Sequence, residues 1–301
     1  MTSQMLVLAA IAFIAAIVNG ALGYGFSSIT VPVALLVVAN RVLNPALVMV
    51  EVVLNLWVLL VNRSALPAIW RRALPIIIGL GPGIALGTVL LTRVDPAWLK
   101  LATFVTLLPL ILLQAAGYRR PLQAEQAIGV AFGVGVGTLY SITTISGPPL
   151  AIFLNNQGFA ALDFRAALGL IRFVEASLTS GAYANAGLFT STSVALLAAI
   201  VPSVMVGVPI GVWLIRRVRA ETFRRICMSF DAAIVAFATS KLLRDLHIVD
   251  GPHAYLLLVS VALFDAVLLY GFFRKQAARD RGVSEPVFVP AHAHTPHTAA
   301  V

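Results

Sequence analysis

The apolar positions of this chain fall in long runs, and the charged positions fall between them. Runs of membrane-helix character lie at Leu43–Val61, Ala73–Leu91, Leu99–Leu113, Ala167–Leu188, Ser193–Ile215, Ile226–Leu243 and Ala254–Phe273, where a single crossing needs about 20 apolar residues. Two more, Met1–Asn40 and Gln126–Leu162, hold no charge and are too long for one upright helix. The pattern predicts an all-α, polytopic membrane protein of about eight to ten transmembrane helices, the number depending on how the two long runs cross. A closed β-barrel is excluded, because its strands are short and alternate.

Both long runs carry an interruption. The first reads NGALGYGFSSITVP (Asn19–Pro32) and the second LYSITTISGPP (Leu139–Pro149). Glycine and proline free backbone groups, which are costly in hydrocarbon unless protein or a water-lined cavity satisfies them. These segments therefore belong inside the bundle, as helices broken at the start of each half of the chain. The bland reading, small residues that allow close helix packing, covers one such run better than it covers two that correspond.

Composition strengthens the membrane assignment. Hydrophobic residues make up 60% of the chain and charged ones 11%, against roughly 45–50% and about 25% in soluble domains. The start lacks the basic segment of a signal peptide, and its apolar run continues too far. The single cysteine, Cys227, forms no disulfide within the chain. The net charge of +9 is not a nucleic-acid footprint, because its arginines sit in short loops. Such loops are cytoplasmic by the positive-inside rule. With RRVRAETFRR (Arg216–Arg225) and the C-terminal tail inside, NAGLFTSTS (Asn185–Ser193) lies outside. The expected location is a bacterial inner membrane, with the lipid bilayer as the first partner. A homodimer is compatible with this reading.

The chain also resembles itself. GIALGTVLLTRVDPAWLK (Gly83–Lys100) aligns without a gap over GVPIGVWLIRRVRAETFR (Gly207–Arg224), and the same offset lays Glu51 on Glu175. This predicts two homologous repeats, at 1–120 and 121–246, an additional helix at 252–273 and a disordered cytoplasmic tail at 274–301. The charge count makes the halves inverted, the arrangement of many secondary transporters.

Candidate chemistry concentrates at the interruptions. Broken helices bring free N–H groups and dipole ends near the midplane, where they suit an anion. Asn19, Gly23, Tyr24, Gly25, Ser27, Ser28 and Thr30 supply the first segment; Ser141, Thr143, Thr144 and Ser146, followed by Asn155 and Asn156, supply the second. Ionisable residues at membrane depth are expensive and face the interior. Arg172 is the basic residue deepest in a predicted span and the choice for an anion contact. Glu51 and Glu175 are candidates to carry protons. Arg172 and Glu175 are three apart on one helical face and can pair. Asp231 and Asp265 read as structural, as do Arg93 and Arg217 at span ends. His292, His294 and His297 in the tail read as adventitious metal binders, so no metal site or cofactor is expected. No nucleophile–base pair, spaced histidines or phosphate loop points to an enzyme.

The G-x-G-F-x-x-x-x-x-P element at Gly23, Gly25, Phe26 and Pro32, with Gly133, Gly135, Gly137, Pro148 and Pro149 in the second half, resembles the TauE/SafE, or sulfite exporter, family of membrane permeases. The resemblance covers about residues 5–245. One departure is SITTIS (Ser141–Ser146), where a glycine cluster is usual. The resemblance implies transport, often export, of small sulfur-containing anions such as sulfite or organosulfonates. An anion channel, an uptake permease for small organic acids, a non-transporting scaffold and a membrane-embedded enzyme are the alternatives.

Overall fold

The computed structural model describes residues 3–116, 125–157, 161–249 and 251–280. Each apolar run becomes a helix. In order they are α1 (Ser3–Leu22), α2 (Phe26–Ala34), α3 (Asn40–Val61), α4 (Leu66–Arg93), α5 (Pro96–Ala116), α6 (Glu125–Thr143), α7 (Gly147–Asn156), α8 (Ala161–Asn185), α9 (Ser191–Ile215), α10 (Ala220–Asp245) and α11 (Leu256–Asp280). No strand occurs among the described residues. Among the described residues, seven helices are long and apolar enough to cross a membrane: α1, α3, α4, α5, α9, α10 and α11. α8 is not among them, although the sequence suggested it; its Arg172, Glu175 and Thr179 are buried in protein. α11 continues to Asp280, so the stretch expected to be a disordered tail begins as helix. The histidines of that tail lie outside the described residues.

Both long runs break as expected, into α1 plus α2 and α6 plus α7. α2 has 9 residues and α7 has 10. At 1.5 Å per residue each is about 14–15 Å long, half the hydrocarbon thickness. They are half-helices and too short to be second crossings.

The packing is reciprocal. α6 lies along α4, and α1 lies along α9, while α3 meets α8 and α5 meets α10. Thus the first helix of each half packs on a long helix of the other. Glycines set both seams. A Cβ on Gly83 would stand 2.3 Å from the Val134 carbonyl oxygen of α6, and one on Gly133 would stand 2.2 Å from that of Ile76 on α4. A Cβ on Gly211 would stand 2.0 Å from the Ile17 carbonyl oxygen of α1. The backbones touch there, the form of helix association that bilayers favour.

Arginines tie the long helices together. Arg41 donates from Nε to the Leu91 carbonyl at 2.7 Å, and from Nη2 to those of Thr92 at 2.8 Å and Val94 at 2.7 Å. It thereby satisfies the orphan carbonyls that close α4. Arg225 of α10 donates to Asp265 of α11 at 2.7 Å. At a span end, Arg217 stacks on Trp213, 3.9 Å from the ring centroid.

Candidate functional site

The first break is made by backbone. The Gly23 N–H bonds the Asn19 carbonyl at 2.7 Å and ends α1. Gly23 and Gly25 then take positive φ, 81° and 103°. The chain re-enters helix at Phe26, and Ser27 stands two residues after Gly25. The second break repeats the device without glycine. Thr144 holds φ 56°, a left-handed conformation that β-branched residues resist. Ser146 again follows two residues on. The departure SITTIS therefore keeps the geometry and puts the strain on Thr144. Replacing Thr144 with Gly is expected to raise stability by roughly 0.5–1 kcal/mol, read as a higher melting temperature in detergent; a lower one contradicts the strain.

The second break is also tied down by its neighbours. The Ile142 carbonyl accepts from Asn44 Nδ2 at 2.6 Å and from Asn40 Nδ2 at 3.3 Å. Tyr183 donates to the Ser141 carbonyl. Thr143 Oγ1 accepts the Ile145 N–H at 3.0 Å and donates to the Leu139 carbonyl at 2.7 Å. Carbonyls freed by the interruption thus find side chains instead of lipid, as a membrane interior demands. Sequence reasoning missed Asn40, Asn44 and Tyr183. Asn40 and Asn44, one helical turn apart at the start of an apolar span, were the available signal.

Each serine reaches a carboxylate. Ser27 Oγ donates to Glu51 Oε1 at 2.5 Å, and Ser146 Oγ donates to Glu175 Oε2 at 2.5 Å. Arg172 Nη2 donates to the same Glu51 Oε1 at 2.7 Å, and the Tyr140 hydroxyl donates to Glu51 Oε2 at 2.6 Å. The pairing of Arg172 with Glu175 suggested by their spacing does not occur: Arg172 crosses from α8 to α3 instead, because those helices pack face to face. Arg172 is 2% exposed, Glu51 1% and Glu175 0%. Both oxygens of Glu51 are taken. Glu175 Oε1, Arg172 Nε and Arg172 Nη1 have no hydrogen-bond partner in the protein. One turn beyond the carboxylates, Asn55 Nδ2 and Thr179 Oγ1 are unpartnered as well. Tyr140 was not singled out from the sequence, since a tyrosine in an apolar helix reads as core.

The remaining candidates lie elsewhere at the breaks. Tyr24, Gly25 and Ser28 line a separate cavity of about 20 Å³ with Gln114 of α5, Pro148 of α7 and Arg224, Cys227 and Asp231 of α10. Gln114 Nε2 donates to the Tyr24 hydroxyl at 3.4 Å. Asp231 Oδ1 is buried without a partner there. The two breaks meet at Gly147, where a Cβ would lie 3.5 Å from the Tyr24 ring and 3.9 Å from Ser28 Oγ. Asn19 is buried and Thr143 and Thr144 shape the second break, while the side chains of Asn155 and Asn156 lie outside the described residues.

These features define a polytopic helical membrane protein in which two interrupted helices meet beside a buried cluster of one arginine and two glutamates. The family model for the sulfite exporter TauE/SafE matches residues 8–241, and the chain belongs to that family of membrane transporters. α11 lies beyond the matched residues. No curated protein and no solved structure matches the chain.

Proposed function

We propose that the protein is a secondary transporter, working as an exporter, of small sulfur-containing anions such as sulfite or organosulfonates. The observation that carries the reading is Arg172. Its guanidinium is closed off from solvent and uses one of its three nitrogens, on Glu51. A buried charge with unmet donors costs several kcal/mol, and Nε and Nη1, which donate from different edges of the guanidinium, are each free to bond an oxyanion. The first amides of α2 at the neighbouring break add dipole and donors for the same negative charge. At α7 the second and third positions are Pro148 and Pro149, which lack N–H groups, so the first break is the better anion cradle.

Two homologous halves, inverted in the membrane, are part of this proposal. The reciprocal seams and the matched serine–glutamate contacts support it. Alternating access would rock one half against the other about the two breaks, with the C-terminus cytoplasmic in a bacterial inner membrane. The burial of Arg172, Glu51 and Glu175 favours a carrier over an open channel.

Counterflow in liposomes tests the reading. Vesicles preloaded with unlabelled sulfite and containing purified protein are expected to accumulate external labelled sulfite transiently, with saturation. Flux rising linearly with concentration and showing no counterflow would establish a channel instead.

A further inference from the structure

Two carboxylates occupy corresponding places in this site, and one guanidinium serves them. Glu51 and Glu175 stand at equivalent positions of the two halves, on α3 and α8. Each accepts a serine hydroxyl at 2.5 Å from the break of its own half. The equivalence ends at Arg172, since the position matching it in the first half is Val48. Arg172 and Tyr140 both go to Glu51. Glu175, which is 0% exposed, is left with Oε1 unpartnered.

The charges of the cluster balance only when Glu175 is neutral. Arg172 and Glu51 neutralise each other. An ionised Glu175 is then an uncompensated charge in a site shielded from water, which is costly alone and more so when an anion arrives on the free face of Arg172. The charged and titratable groups near it are Arg172 on its own helix, Glu51 on α3 and Tyr140 on α6, and Ser146 of the second break supplies a hydroxyl. Only Arg172 among them is a cation, and Glu51 already holds it. A proton on Glu175 supplies the missing positive charge, and Oε1 is the carboxylate oxygen that no hydrogen bond occupies.

We propose that Glu175 takes up a proton together with the anion, so that the site loads the two as a unit, while Glu51 remains the fixed counter-ion of Arg172. The inference rests on the anion site proposed above and adds its coupling ion and sign. Anion and proton bind cooperatively: the anion draws a proton onto Glu175, and by linkage the proton strengthens anion binding by the same factor. Binding therefore tightens as pH falls. The transported species carries one negative charge fewer than the bare anion, so the protein moves the proton with its substrate and not against it.

Methanesulfonate is the probe, because its own charge stays constant from about pH 5 to pH 8, well above the range in which sulfonates protonate. Wild-type protein in detergent, in weak buffer with an indicator dye, is mixed with methanesulfonate, and its affinity is measured across the same range. The expected result is uptake of about one proton per bound anion at the upper end of the range, with affinity increasing toward low pH. In Glu175→Gln, which can still accept from Ser146, methanesulfonate is expected to bind with no proton uptake and with affinity independent of pH. Binding by the wild type without proton uptake, proton release, or uptake that persists in Glu175→Gln would overturn the proposal. Absence of binding in both proteins would overturn the anion site beneath it.

Discussion

Arg172→Gln is expected to abolish sulfite transport and to destabilise the protein by about 3–5 kcal/mol. The two effects have separate causes. Transport is lost because the guanidinium with free nitrogens is the cation that the site presents to an anion. Stability is lost because Glu51, 1% exposed, is left ionised without its partner. The separation can be measured. Adding Glu51→Gln to Arg172→Met removes both charges while leaving an amide to meet Ser27 and Tyr140. Replacing a whole buried pair is often neutral, so this double variant is expected to recover most of the melting temperature and none of the transport. Transport returning with stability would show that Arg172 serves the fold alone.

Gly83→Ala is the second large effect. A single methyl there would stand 2.3 Å from the Val134 carbonyl oxygen and 3.0 Å from the Thr138 nitrogen. Both are backbone atoms, so no rotamer change relieves the contact, and α4 must move away from α6. Thr138 Oγ1 also donates to the Gly83 carbonyl at 3.1 Å across the seam, and separation weakens that bond. The cost is expected to reach the upper end of overpacking penalties, about 3 kcal/mol, seen as a lower melting temperature and a poor yield of monodisperse protein. Gly81 supplies the control. A Cβ there meets nothing within 4 Å, so Gly81→Ala is expected to behave as wild type or slightly better, since alanine is the better helix former. Equal effects of the two substitutions would refute the seam.

The breaks were legible in the sequence because two corresponding charge-free runs each combine glycine, small polar residues and a closing proline, which packing alone explains less well than an opened helix. Glu51 and Glu175 were legible for the same reason: charge inside a span is expensive enough to be informative. The partner of Arg172 was not. Spacing along one helix favours Glu175, but the pair is decided by how α3 packs on α8, and that contact leaves no local signature. Tyr140 was hidden because an aromatic ring in an apolar helix is ordinary core, and its role appears only when Glu51 is placed beside it. The length of α2 and α7 was hidden too. Each charge-free run continues beyond its half-helix, and only the turn after Ala34, and the end of α7 at Asn156, stop the short segments. Thr144 shows the limit most clearly. Thr144 stands in the SITTIS departure, where the resemblance expects a glycine cluster, yet the backbone keeps the left-handed turn.

Calorimetric titration of sulfite into purified protein tests the central claim, that the anion is held by Arg172 beside the breaks. Wild type is expected to bind about one sulfite per chain with saturation, and the Arg172→Met/Glu51→Gln double variant, folded and monodisperse, is expected to bind none. Unchanged affinity in that variant would contradict the account.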